Sequence, residues 1–232
     1  MISLNRVAIH LAAAVFALAI SNGSAHAHGD VKPQAVDTAG LPKLGEEWQE
    51  KNPWRDPKGK YWVRAVEVGR SGYNQNCARC HGLEAVSGGL APDLRFLEAN
   101  LDGDEWYLER YQNGYTQNGI TKMPAFGELL GQEAAWAIRT YIETRPDEGA
   151  LDKYTARLVE IRKILSAEKK PKKEDVAALR KEMMDIGAKV ETGSGAPVAV
   201  SVASLAAIAL DGTDDGLKRA IDALTVGLSA AE

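Results

Sequence analysis

The chain has 232 residues, 45% hydrophobic and 26% charged, with a formal net charge of -4. Enough apolar residues are present to bury one or two modest cores, which excludes wholesale disorder, and the acidic balance argues against a nucleic-acid partner.

The first residues read as a targeting segment. Arg6 precedes an apolar run from Val7 to Ile20, followed by Ser21 to Gly23 and by Ala25-His26-Ala27, so residues 1–27 are expected to be a signal peptide cleaved after Ala27. The 14 residues of that run fall short of the roughly 20 that cross a bilayer as a helix, which favours an exported, periplasmic chain without stable membrane insertion. Removal takes away Arg6 and no other charged residue, moving the formal charge to -5. Two cysteines remain, for which one disulfide is the simplest expectation in an oxidising compartment.

Between Leu41 and Arg64, Trp48, Trp54 and Trp62 stand among Pro42, Pro53 and Pro57 without a sustained period. The segment reads as an arm (residues 28–65) wrapped on the following domain, with its tryptophans turned inward.

Residues Cys77-Ala78-Arg79-Cys80-His81 form the five-residue pattern of covalent haem attachment. Two thiols at this spacing add across two porphyrin vinyl groups, and the adjacent histidine is carried beneath the ring to coordinate iron. A redox disulfide, half a zinc site and a structural bridge are the rivals, and each leaves the residue after Cys80 unconstrained. Histidine occupies only 4 of 232 positions, and no second cysteine pair exists to complete a zinc tetrahedron.

Iron needs a second axial ligand, for which His28, Met123, Met183 and Met184 are the candidates. Met123 has the suitable setting: a loop from Gly119 to Gly127, with Pro124 fixing the backbone directly after the thioether. Met183 and Met184 sit in a lysine-rich helical stretch and read as packing residues. Asp102 followed by Glu105 fits a cap and capping box for a helix from Gly103 to Gln112, ended by Asn113-Gly114.

From about Val66 to Thr144 these residues resemble a class I cytochrome c. Gly69 and Tyr73, eight and four residues before Cys77, stand where that family places a small residue and an aromatic on its first helix, and Trp136, Ile138 and Tyr141 on a helix from Gln132 to Thr144 resemble the facing surface. The resemblance implies an all-α haem domain (residues 66–148) holding one haem c. Its ligands would be Cys77, Cys80, His81 and Met123, with the Pro92 carbonyl accepting the hydrogen bond of His81.

The match sharpens in His28-Gly29-Asp30-Val31, Gly45-Glu46-Glu47-Trp48, Asn52-Pro53-Trp54-Arg55 and Tyr73 to Gly89, which look like the PedF-type cytochromes c. This likeness implies a carrier taking single electrons from a PQQ-dependent (quinoprotein) alcohol dehydrogenase toward a terminal oxidase or another cytochrome. Docking would occur at Gly82 to Pro92 and Lys122 to Phe126. A haem-c sensor or peroxidase-like protein with a displaceable methionine is the alternative, and a haem-anchored structural subunit a third reading.

Past Pro146 the likeness fades. Residues 151–190 hold 11 Lys+Arg against 7 Asp+Glu. Leu151, Tyr154, Leu158, Ile161 and Leu165 define one amphipathic helix, Val176, Leu179, Met183 and Ile186 a second, with Lys169 to Lys173 as a solvated turn. Glu191 to Pro197 reads as a linker, Val198 to Leu210 as an apolar run too short for a membrane span, and Asp214 to Ser229 as a last helix. Residues 149–232 are thus expected to form an α-helical accessory extension.

Overall fold

The computed structural model describes residues 33–167 and 172–228. The expected signal peptide, His28, Lys169 to Pro171 and Ser229 lie outside them.

Helix α1 spans Trp62–Asn76 and buries Ala65, Val66, Val68, Gly69, Gly72 and Tyr73 on one face. It starts a turn before the expected arm ends, so the irregular segment stops at Tyr61. A single turn, α2, spans Ala78–His81. Helix α3, Leu101–Asn113, begins earlier than its expected cap: the Asn100 side chain, not that of Asp102, accepts from the Gly103 N–H at 2.9 Å. Asn100 wins because its own backbone is extended while Asp102 already lies inside the helix. The predicted stop holds, with Gly114 at φ 68°.

The stretch before Met123 is not a simple loop. Strands β1, Tyr115–Gln117, and β2, Ile120–Met123, pair antiparallel and place Tyr115 opposite Met123. Asn118 and Gly119, both at positive φ, make the turn. One small hairpin therefore interrupts an otherwise helix-rich chain.

Helix α4 spans Gly127–Glu143, kinked at Gly131 (φ 73°), and from Ala134 to Glu143 it is buried all round. Helices α1 and α4 cross without a spacer. A Cβ on Gly69 would stand 1.9 Å from the Ala137 carbonyl oxygen, and the Tyr73 and Tyr141 rings meet at 5.3 Å beside this crossing. Trp136, by contrast, turns to the other side, against Trp54, Ala65 and Val68.

Burying α4 all round takes charged groups with it. Asp104 bonds Arg55 at 2.6 Å and Arg139 at 3.0 Å, Glu143 bonds Arg55 at 2.7 Å and Arg139 at 3.2 Å, and Asn52 donates to Glu143. The two carboxylates and two guanidiniums neutralise each other, and the cluster fastens residues 52–55 to α3 and α4. Burial alone would lower the pKa of Arg55, but its bonds to Glu143 and Asp104 outweigh that and raise it. Trp54 is buried, and Trp48 and Trp62 pack partly buried on the same unit.

Four further helices follow: α5 (Asp152–Leu165), α6 (Lys173–Gly187), α7 (Val202–Ala209) and α8 (Asp214–Gly227). Their apolar stripes meet in one core containing Leu158, Ile161, Met183, Ala206 and Leu224. Met183 is thus a packing residue, whereas Met184 is 43% exposed. Of the apolar run from Val198 only residues 202–209 are helical, opened by a Ser201–Ser204 capping box. Among the described residues no helix is long and apolar enough to cross a membrane.

Candidate functional site

A cavity of about 560 Å³ opens between the α1–α2 corner on one side and α3 with the hairpin on the other. Cys77, Cys80 and His81 line the first wall and Met123 the second. The sequence-predicted residues are therefore brought to one place, although 42 positions separate His81 from Met123.

Local backbone chemistry presents the first three. Helix α1 ends at Asn76, and the Cys77 carbonyl then accepts from both the Cys80 and His81 N–H groups, at 3.1 and 3.0 Å. The chain reverses at Gly82, where φ is 79° and a Cβ would lie 1.9 Å from the Val86 carbonyl oxygen. Glu84 and Ala85 follow at φ 56° and 63°, a left-handed conformation that residues with a Cβ rarely hold, and Ala85 is completely buried. Such strain persists only where surrounding contacts fix it.

His81 Nδ1 stands 2.9 Å from the Pro92 carbonyl oxygen. A carbonyl can only accept, so Nδ1 carries the proton and Nε2 keeps its lone pair. Burial pulls the imidazole pKa below its ordinary value against the opposing pull of the Pro92 bond, favouring the neutral ring that can ligate a metal. The Pro92 turn is itself braced. Ser87 N–H donates to Asp93 at 3.2 Å, and Asp93 pairs with Arg95 at 2.8 Å. Burial also pushes the Cys77 thiol up to about 12.

Met123 reaches the cavity from the end of β2. Directly behind it Gly114 packs so closely that a Cβ would stand 2.4 Å from the Met123 carbonyl oxygen, and Phe126 N–H donates to Tyr111 at 2.8 Å. These contacts hold the methionine segment against α3.

Sequence reasoning missed the residues of α3 that complete the lining. Tyr107 donates to the Ala135 carbonyl at 2.9 Å and turns its ring inward, beside Tyr111 at 5.6 Å. Arg110 lies over the rings of Trp106 and Tyr115, 5.7 and 5.0 Å from their centres. Trp106, Tyr107, Arg110 and Tyr111 recur at three- and four-residue spacing, the signal that could have found them. Among the described residues the lysine and arginine side chains lining the cavity are Arg110 and Lys122.

This set suits a flat, largely apolar macrocycle with acidic edge groups: two thiols and an imidazole on one wall, a thioether on the other, aromatic sides and two cations. The residues present fit haem c.

Comparison with known proteins points the same way. A profile of the family described as Cytochrome C oxidase, cbb3-type, subunit III matches residues 64–142. Cytochrome c550 of Pseudomonas aeruginosa is 58% identical over 118 residues, which cover 51% of this chain and 81% of that protein. Two quinohemoprotein alcohol dehydrogenases of Pseudomonas putida, ADH IIB and ADH-IIG, are 31% and 33% identical over 93 and 81 residues, only 13% and 11% of their own lengths. No solved structure matches.

Proposed function

The chain belongs to the c-type cytochromes and binds haem c covalently, and from that premise we propose that it is a periplasmic electron carrier, not an enzyme, ligated through Cys77, Cys80, His81 and Met123. The observation that carries the reading is the meeting of Cys77, Cys80 and His81 with Met123 across one cavity.

Bound haem supplies a ferric/ferrous couple that exchanges one electron at a time. The protein's residues define how. Cys77 and Cys80 anchor the ring by thioether bonds. Pro92 holds the Nδ1 proton of His81, so that Nε2 would offer iron a full lone pair of raised basicity. Met123 contributes a soft sulfur that favours the reduced ion and raises the potential. Tyr107, Tyr111, Leu94 and Ile142 exclude water from the ring faces. Arg110 and Lys122 offer positive charge to the propionates. Held by both His81 and Met123, the iron would have no site free for oxygen.

The donor in this reading is a PQQ-dependent alcohol dehydrogenase, and the acceptor a terminal oxidase or another cytochrome. Support for the donor comes from the likeness between this chain and a short part of two enzymes named as quinohemoprotein alcohol dehydrogenases. The secretion segment read in residues 1–27 supports the compartment.

Met123→Ala is expected to abolish the sulfur-to-iron charge-transfer band, lower the reduction potential and admit carbon monoxide to the ferrous protein. An unchanged spectrum would remove Met123 from the ligand set. Rapid carbon monoxide binding by the unmodified protein at neutral pH would instead favour the sensor or peroxidase-like alternative.

A further inference from the structure

Residues 191–201 lead from α6 to α7 and pass along the end of α4, where their contacts gather on one guanidinium. The Arg145 side chain is only 1% exposed. Its Nη2 donates to the Val200 carbonyl at 3.1 Å and to Thr144 Oγ1 at 3.0 Å, its Nε donates to the Tyr141 carbonyl at 3.2 Å, and its plane lies 4.0 Å from the Tyr141 ring centre. The remaining nitrogen, Nη1, pairs with Glu84, in the left-handed turn that immediately follows His81. A guanidinium buried this deeply requires its carboxylate, and the strained turn requires an outside contact to hold it.

The same segment also touches the turn that bears Pro92. Ala99 N–H donates to the Ser194 carbonyl at 2.9 Å, Ser194 Oγ donates to the Glu143 carbonyl at 2.7 Å, and a Cβ on Gly193 would come within 2.8 Å of the Arg95 carbonyl oxygen. Arg95 is the residue that pairs with Asp93, next to Pro92. Tyr73, its ring tilted against that of Tyr141, donates to the Gly82 carbonyl at 2.8 Å and closes the arrangement from the other side.

We infer that residues 191–201 are a strap which, through Arg145 on Glu84 and through Gly193 on the Arg95 turn, holds the two turns that orient His81. Arg145, Glu84 and Gly193 are positioning residues, and the C-terminal helices act on the haem centre through them without touching it. The inference rests on His81 being the proximal ligand. The Pseudomonas aeruginosa relative aligns with only 51% of this chain, so a haem unit of this kind occurs without a match to much of the remainder.

Two full-length holoprotein variants test it. Glu84→Gln removes the carboxylate from a half-exposed side chain without a change of size. Gly193→Val, with Gly193→Ala as the milder companion, pushes the strap off Arg95 without changing any charge. The strap requires amide exchange to quicken roughly tenfold at Gly82 and Val86, bonded to Ala78 and Leu83, in Glu84→Gln, and at Leu97, bonded to Leu94, in Gly193→Val. It also requires the reduction potential to move in Gly193→Val, where no charge has changed. Unaltered exchange at Gly82 and Val86 in Glu84→Gln or at Leu97 in Gly193→Val, or an unaltered potential in Gly193→Val, overturns the strap. Failure of the ligand assignment would look different: a spectrum of the unmodified holoprotein that lacks low-spin histidine–methionine coordination.

Discussion

The two helical units solve the problem of burial in opposite ways. The C-terminal helices fill their core with their own side chains, Leu158, Ile161 and Met183 being completely enclosed. The preceding unit buries its α1–α4 crossing as tightly but lines a cavity of about 560 Å³ in its middle. The side chains lining that cavity would gain from the bound group the dispersion contacts a packed core supplies. The contrast teaches that the stability of one unit depends on a covalently attached filler, whereas the other depends on sequence alone.

The largest effect should come from denying the first unit its filler. Cys77→Ala with Cys80→Ala is expected to leave residues 62–143 open to proteolysis and rapid exchange while α5 to α8 remain protected. Equal protection of both units would break the comparison. Next, Leu158→Ala should cost about 2–5 kcal/mol in the C-terminal core, read by denaturant unfolding, with the visible spectrum unchanged. Gly69→Ala should cost about 1–3 kcal/mol by overpacking, since its methyl meets a backbone oxygen that cannot move aside. Here unfolding and haem absorption should change together, because the crossing closes the cavity.

The smallest effect belongs to the surface pair Arg157–Glu182 of the C-terminal unit. The hydrogen bond from Arg157 is the main cause holding the Glu182 carboxyl below its ordinary value. A depressed folded value means that the pair's contribution is present above the unfolded carboxylate range and is lost as pH falls through the folded value. Both side chains are more than a third exposed, so Glu182→Gln should remove less than about 1 kcal/mol at neutral pH and nothing in strong acid. Paired urea titrations at neutral and acid pH would measure it.

Much of the site was legible because its chemistry is local. Thioether attachment and proximal ligation need five consecutive residues, and the glycine and proline around Met123 are local too. Gly69 could be read as a close crossing because the resemblance to class I cytochromes c puts a small residue at that place before Cys77. The hairpin was hidden by strands of three and four mostly exposed residues, although Asn118-Gly119 is a turn signal. The cap of α3 was misread because Asn100 and Asp102 are chemically equivalent candidates and only the backbone separates them. The Arg55–Asp104–Arg139–Glu143 cluster lay beyond reach, since its distant partners stand up to 88 positions apart. The Arg145–Glu84 pair, 61 positions apart, was invisible for the same reason.

The central claim is that Cys77 and Cys80 each hold a porphyrin by a thioether bond. The mass of the Val68–Glu84 peptide, released from mature protein by a glutamate-specific protease, tests it most directly. The account predicts one peptide heavier by a single haem with no free thiol. A peptide at the unmodified dithiol mass, or an internal disulfide lighter by two hydrogens, would contradict it.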